Sequence, residues 1–237
     1  MSLTVIIPLR NEEKAIKNTL KYFEESWITD IDHEIILIDD FSTDNTCNRI
    51  KEFNSSKLNF KVIKNKKEGL GSAMTVGIEG SSKEYVAIFM ADLSDDIDDL
   101  KKYYTIIREK KLNAVFGSRF MKSSIVTNYP ISKYYVNRIA NNIIKIFFLN
   151  NYNDYTNAFK IYQRETLLKL FPIVSENFNV FLELPLKIIT RKYRYEIIPI
   201  SWKGRKDGYS KFNLKELGSK YIFTLLYCFF EKILLKK

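Results

Sequence analysis

The segment LIDDFSTDNT, residues 37–46, narrows the possible folds sharply, because a β-branched apolar run ends there in two carboxylates and a turn. Strands of a parallel sheet are buried on both faces and read as continuous apolar runs. Residues 34–38 fit such a strand, with Asp39 and Asp40 at its carboxyl tip. In open α/β sheets, ligands bind beyond the carboxyl ends of the strands. A second run, residues 85–90, ends the same way in Ala91 and Asp92. Two acidic strand tips in one sheet predict one polar site.

Further strands are expected at residues 3–7, 60–63 and 114–116, and helical spacing of apolar residues fills the gaps at 12–25, 43–53, 72–79 and 97–110. Strands alternating with helices of this length predict an α/β fold, a single mainly parallel Rossmann-like sheet with right-handed crossovers and flanking helices. After Gly117 the alternation fails. A helix rich in Ile and Phe is expected at 131–149, then a polar segment through Asp154, a helix near 181–191, a strand at 195–200 and a last helix at 214–235. Nothing in the composition marks a linker. One domain over residues 1–212, followed by a C-terminal helical extension over 213–237, is the expected organisation.

The net charge of +10 favours anionic partners such as nucleotide or lipid phosphates, an anionic membrane leaflet or nucleic acid. Nucleic acid is discounted, because neither a recognition-helix motif nor an RNA-binding aromatic signature occurs. Cys47 and Cys228 lack metal-ligand spacing and are too few for a disulfide scaffold, which favours a reducing, cytoplasmic setting. The opening MSLTVIIPLRNEEK has no basic region before its apolar run and reads as a first strand, not a signal peptide. In the last helix, residues 221–230 are uncharged and mostly apolar, short of the roughly 20 residues a bilayer span needs. With Lys215, Lys220, Lys232, Lys236 and Lys237 around it, this stretch is expected to be amphipathic. It either lies in the interfacial plane of an anionic membrane or packs on the domain or a dimer partner.

Six motifs now fall in an order that resembles the family 2 glycosyltransferases of the GT-A fold, most closely their dolichyl-phosphate mannose synthase branch. VIIPLRNEE (5–13) looks like the family's opening strand and turn, IDDFSTDNT (38–46) its second-strand signature, and NKKEGLGSAMTVGI (65–78) its Gly-rich segment. FMADLSDD (89–96) occupies the place of the Asp-x-Asp segment, and FGSRF (116–120) is similar to the stretch after the fifth strand. WKGRKDGYSKF (202–212) matches the Arg-x-x-Gly-x-Ser-Lys pattern of the polyprenyl-phosphate enzymes. The chain departs from the pattern at Met90, where the first Asp of Asp-x-Asp would stand, and at Asn157 and Ala158, which replace Ser and Gly in DYTNAFKIYQR.

The resemblance implies an inverting transfer of a hexose from a nucleoside-diphosphate sugar, of the GDP-mannose or UDP-glucose type, to a polyprenyl phosphate at the inner membrane face. It assigns donor binding to Pro8, Glu12, Asp39, Asp40, Gly69, Gly71, Ala91 and Asp92, and acceptor binding to Arg119, Lys133, Arg205 and Lys211. Catalytic work falls to Asp92, Arg119, Arg205, Ser210 and Lys211. Asp92 is the candidate ligand for Mg2+ or Mn2+, which prefer oxygen donors; Ser94 or Asp95 stands ready to help, since the thioether of Met90 is a poor partner for a hard cation.

Elementary chemistry is compatible with these roles. Strand-tip carboxylates accept hydrogen bonds from base and ribose, glycines let backbone approach a ligand closely, and Lys66 or Lys67 adds charge near phosphate. The Gly-x-Gly follows the third strand, not the first, which argues against a nicotinamide enzyme. Ser42, Thr43 and Asp44 read as helix-capping residues, and Asp95, Asp96, Asp98 and Asp99 as the acidic first turn of a helix. His33 is expected in an exposed turn. A rival with a carbohydrate hydroxyl acceptor needs a general base, for which Asp154 and Glu183 are the candidates, although Glu183 better suits a salt bridge to a nearby Lys or Arg. A non-catalytic nucleotide-sugar binder, disabled at Met90, is the rival of another class.

Overall fold

A computed structural model describes residues 2–204 and 214–234. In chain order the elements are β1 (Ser2–Leu9), α1 (Ile16–Glu24), a single 3-10 turn (Trp27–Asp30), β2 (Asp32–Asp39), α2 (Thr46–Lys51), β3 (Phe60–Lys64) and α3 (Leu70–Gly80). They continue with β4 (Tyr85–Ile88), α4 (Ile97–Glu109), β5 (Ala114–Ser118), β6 (Ile125–Thr127), α5 (Ile131–Phe148), β7 (Lys160–Gln163) and α6 (Arg164–Lys169). The last are α7 (Val180–Thr190), β8 (Tyr195–Pro199), β9 (Ser201–Lys203) and α8 (Leu214–Leu234).

Seven strands form one sheet in the order β3-β2-β1-β4-β7-β5-β8, and β6 pairs with β9 in a separate parallel ribbon. Every pairing in the large sheet is parallel except those of β7, which runs antiparallel between β4 and β5. Side chains alternate across a strand, so β1 and β2 feed two cores. Val5, Ile7, Ile35 and Leu37 pack with Leu20 and Phe23 of α1 and Leu100 and Tyr103 of α4 on one face. Ile6, Ile36 and Ile38 pack with Met74 of α3 and Leu184 and Ile188 of α7 on the other. This two-sided burial explains the unbroken apolar runs of the strands. Edge strand β3 is half exposed and carries Lys61 and Lys64, charges that blunt an open edge.

The expected strands and helices of the first half all form, within a few residues of the expected ends. The expected strand at 85–90 stops at Ile88, and β7, α6 and the β6–β9 ribbon were not expected. His33 is a correction. It is buried near the start of β2, with Nδ1 2.9 Å from the Ile31 carbonyl and Nε2 accepting from the Asn59 amide at 3.1 Å. The acidic run is corrected at one position. Asp96 is the N-cap of α4 and accepts from the Asp98 amide, as a capping residue should, and Asp98 and Asp99 stand in the first turn as expected. Asp95 lies before the cap and is buried, and Asp99, also buried, is in addition tied to the Ser201 amide and Lys102.

Helix α8 packs against α7 and the end of α5, burying Thr224 and Cys228. Arg191 pairs with Glu231 at 2.5 Å, and Lys232 donates to the Phe148 carbonyl at 2.9 Å. On its outer side Ile222, Phe223, Leu226, Phe230, Ile233 and Leu234 are exposed, so the described side chains do not show the polar outer face that an amphipathic helix would present.

Candidate active site

The carboxyl ends of β2, β1 and β4 lie side by side, and the loops leaving them carry the candidate donor residues. Each loop holds one non-glycine residue in the left-handed region: Asn11 at φ 54°, Phe41 at φ 57° and Leu93 at φ 53°. Such conformations cost of order 1–3 kcal/mol and persist where surrounding structure enforces them. That enforcement is visible between the first two loops. Asn11 donates its amide to Ser42 Oγ and accepts from the Thr43 amide, and the Glu12 amide donates to Thr46 Oγ1 at 2.8 Å. Asp44 accepts from the amides of Glu13 and Thr46. Ser42, Thr43 and Asp44 thus join two loops, and Asp44 also serves the first turn of α2.

Asp39 closes β2 and accepts from the Ser42 amide at 3.2 Å. Asp40, next in the chain and also buried, uses Oδ1 to accept from the Gly69 amide at 2.9 Å and Asn65 Nδ2 at 2.7 Å. The Gly-rich segment and the second strand tip are therefore joined at Asp40. Pro8 lies buried in β1 opposite Ile38. Lys66 and Lys67 pair with Glu79 and Glu176 at the surface, at 3.6 and 2.6 Å.

Beyond β4, Ala91 is buried with its carbonyl accepting from Thr19 Oγ1 at 2.7 Å, and the partly exposed Asp92 accepts from the Ser94 amide at 3.1 Å. Two oxygens on this loop, Ser94 Oγ and Asp95 Oδ1, are buried without a partner among the described residues. Buried polar atoms are nearly always satisfied, so these two mark an incomplete polar environment. Strand β9 closes over the loop. Lys203 donates its amide to the Ser94 carbonyl at 2.9 Å, and Asp95 and Trp202 form a lone antiparallel bridge.

Arg119, one residue past β5, reaches the same region from the other side of β7. Its amide and Nε donate to Asp154 Oδ2 at 2.8 and 2.9 Å, and Nη2 donates to Asp154 Oδ1 at 2.7 Å. The guanidinium carbon sits 5.4 to 5.6 Å from the ring centres of Phe120, Tyr129 and Trp202. Burial opposes its charge, but the adjoining Asp154 carboxylate outweighs burial and raises its pKa further. Lys160 on β7, fully buried, donates to the Tyr155 carbonyl at 3.2 Å and to that of Asn157. Burial pulls Lys160 down to about 7 against the attraction of Asp154. Burial, and after it the Asp92 charge, pushes Asp95 up to about 8. Two acids and two bases thus form one buried electrostatic group beneath the Asp92 loop. Lys160 is its unforeseen member; an isolated lysine in a polar-looking segment gives no signal of burial.

The structure places Asp39 at the end of β2, and Asp40, Gly69, Asp92, Arg119 and Asp154 just outside the strands, at the end of the sheet where the parallel strands finish. Both oxygens of candidate base Asp154 are engaged by Arg119. Candidate base Glu183 sits on α7, fully buried, accepting from the Val174 and Ser175 amides and pairing with Lys187 at 2.5 Å. Lys133 is exposed on the first turn of α5. Arg205, Ser210 and Lys211 lie outside the described residues. Among the described residues no group of three or more His, Cys, Asp or Glu side chains is arranged to hold a metal.

The glycosyl transferase family 2 model matches residues 4–171. The dolichol-phosphate mannosyltransferase of Pyrococcus furiosus is 28% identical over 232 residues, covering 95% of this chain and 62% of that protein. The dolichyl-phosphate beta-glucosyltransferase of Saccharomyces cerevisiae is 26% identical over 229 residues, covering 84% and 66%. The chain therefore spans somewhat less than two thirds of the length of these relatives. Among solved structures, glucosyl-3-phosphoglycerate synthase from Mycobacterium tuberculosis, in complex with Mn2+, UDP and glucosyl-3-phosphoglycerate, superposes with a TM-score of 0.69. It is 17% identical and covers 96% of this chain and 79% of its own, a likeness of fold. With a family match over most of the chain and a fold to go with it, the chain belongs to glycosyl transferase family 2.

Proposed function

We propose that this chain is an inverting hexosyltransferase that moves a hexose from a nucleoside-diphosphate sugar, of the GDP-mannose or UDP-glucose type, to a polyprenyl phosphate at the cytoplasmic membrane surface. The observation that supports the reading is that Asp40 and Asp92 follow β2 and β4, the two strands that flank β1, at the same end of the sheet at which Arg119 follows β5, ringed by three aromatic side chains. The names of the archaeal and yeast relatives supply the lipid acceptor and the hexose.

In this reading Glu12, Asp39 and Asp40 meet the base and ribose, and Ala91 and Asp92 lie beside the diphosphate. A phosphate monoester is already ionised near neutral pH and attacks the anomeric carbon through one of its oxygens without a base. The C1–O bond to the diphosphate breaks as the new C1–O bond forms on the opposite face. Such a reaction is served by positioning and electrostatics, not covalent catalysis. The commitment of Asp154 to Arg119 and of Glu183 to Lys187 fits an acceptor that needs no proton removed. Arg119, held by Asp154 through Nε and Nη2, would orient the attacking phosphate together with Lys133, Arg205, Ser210 and Lys211.

Asp92 and the unsatisfied oxygens of Ser94 and Asp95 are the hard donors this loop has to hold Mg2+ or Mn2+, and Met90 adds none. When bound, such an ion neutralises charge on the leaving diphosphate. The test incubates purified protein with labelled GDP-mannose and UDP-glucose, polyprenyl phosphate and Mg2+ or Mn2+. Label extracted into the organic phase is the expected result. Label found only in water-soluble product would overturn the lipid acceptor in favour of a glycan hydroxyl, and no turnover of either donor would leave a binding protein.

A further inference from the structure

Glycines 69 and 71 admit a close backbone approach, and the approaching backbone is the protein's own. A Cβ at Gly71 would stand 1.7 Å from the Ser175 carbonyl oxygen, and one at Gly69, whose φ is 127°, would stand 2.6 Å from that of Glu176. The Gly71 amide donates to the Glu176 carbonyl at 2.9 Å. The chain around Ser175 and Glu176 is thus pressed into the Gly-rich segment, whose other end is fastened to Asp40 through the Gly69 amide.

What holds residues 174–176 in place comes from beyond the matched family segment. Glu183 of α7 accepts from the Val174 amide at 3.0 Å and the Ser175 amide at 2.8 Å, while Lys187 donates to the Leu170 carbonyl at 3.0 Å. Thr224 of α8 completes the arrangement: its hydroxyl donates to its own helix at the Lys220 carbonyl, accepts from Asn179 Nδ2 at 2.9 Å, and lies 3.3 Å from Ser175 Oγ. Thr224, Ser175, Asn179, Glu183 and Lys187 are all buried. Buried polar groups are costly unless fully partnered, and fully partnered they fix one arrangement. A continuous set of bonds therefore runs from α8 through Ser175 and Glu176 to Gly71, Gly69 and Asp40.

We propose that α8 braces the donor pocket and that Thr224 is the positioning residue of this brace, holding the 174–176 segment against the Gly-rich segment and so setting affinity for a nucleoside diphosphate. The proposal rests on the assignment of Asp40 and its neighbours to the nucleotide sugar. The experiment measures UDP and GDP binding by calorimetry, without acceptor, for the wild type, Thr224→Val, Thr224→Ser and Ser175→Ala. Valine keeps the β-branched shape and removes the hydroxyl; serine restores it. The expected result is about five- to tenfold weaker nucleotide binding in Ser175→Ala, the size of one lost buried hydrogen bond, and a loss at least as large in Thr224→Val, which also leaves Asn179 Nδ2 without its acceptor, with Thr224→Ser within about twofold of wild type. In turnover, KM for the sugar nucleotide rises while kcat stays within about twofold. Undiminished binding in Thr224→Val, or a serine variant as impaired as the valine one, would overturn the brace while leaving the donor site intact. A wild-type chain that binds neither nucleotide would overturn the donor assignment, and the brace with it.

Discussion

Arg119 and Asp154 form an ion pair with almost no contact with water, its side chains 9% and 0% exposed. Breaking a buried pair by removing one partner leaves an uncompensated charge and costs about 3–5 kcal/mol. Asp154→Asn should therefore lower unfolding free energy by roughly that amount in a urea titration, whatever it does to turnover. A loss under about 1 kcal/mol would mean that the three rings around Arg119 suffice to hold it. Asp95 gives a second test at this scale. Its folded value of about 8 lies far above the ordinary carboxyl value of about 4. Between those values the folded protein keeps a proton that the unfolded chain has shed, so stability is full below about pH 4 and falls as pH rises through about 8. Lys160 works in another window. Its depressed value of about 7 means that stability present above about pH 10 is lost as pH falls through 7, and it adds nothing between pH 5 and 6. Asp95→Asn removes the Asp95 dependence, so the Tm difference, variant minus wild type, should grow steadily from pH 5 to 7. A difference constant over that interval would mean that Asp95 is ionised in the fold.

At the scale of elements, what could be read from the residues depended on how local the cause was. The parallel half was legible because β1, β2 and β4 are buried on both faces, and β1 and β2 end directly in polar loop residues. Asp40 was legible for the same reason, as a carboxylate at a strand tip, whereas Asp92 stands four residues past the end of β4, on the loop that follows it. Strand β7 was not: it is four residues long, begins with Lys160, and is a strand only because β4 and β5 leave a gap that it fills antiparallel. The buried Lys160 reads as surface until Tyr155 and Asn157 supply carbonyls to receive it. Gly69 and Gly71 were legible as places of close approach but not as places approached by Ser175 and Glu176, since that contact joins segments distant along the chain. Asp95 misled because it stands beside a true cap, Asp96, and only the tertiary fold separates their fates.

For the molecule as a whole, the largest unexplained feature is an apolar surface shared by two helices. Ile139, Ile143, Ile146 and Phe147 of α5 and Ile222, Phe223, Leu226 and Phe230 of α8 are all exposed, and the helices touch where Phe147 and Phe229 meet edge to face. Soluble monomers rarely expose so much contiguous apolar area without a use for it. Among the described residues no helix is long and apolar enough to cross a membrane. If the acceptor is the proposed polyprenyl phosphate, the exposed apolar sides of α5 and α8 are the surface expected to lie in the interfacial plane. Lys145, Lys220 and Lys232 on these helices, and a net charge of +10, add attraction to anionic headgroups worth about 1 kcal/mol per cation near the surface. Two dependences should therefore separate in a sedimentation assay with lipid vesicles. Binding to vesicles rich in anionic lipid should exceed binding to neutral ones and weaken with salt, reporting the lysines. The single changes Ile146→Glu and Phe230→Glu should each cut binding about tenfold or more at any salt concentration, reporting the apolar face. Both positions are exposed, so neither change should lower Tm by more than a degree or two. Vesicle binding that survives both substitutions would show that α5 and α8 are not the membrane contact, and the proposed lipid acceptor would then have to reach Arg119 from another face.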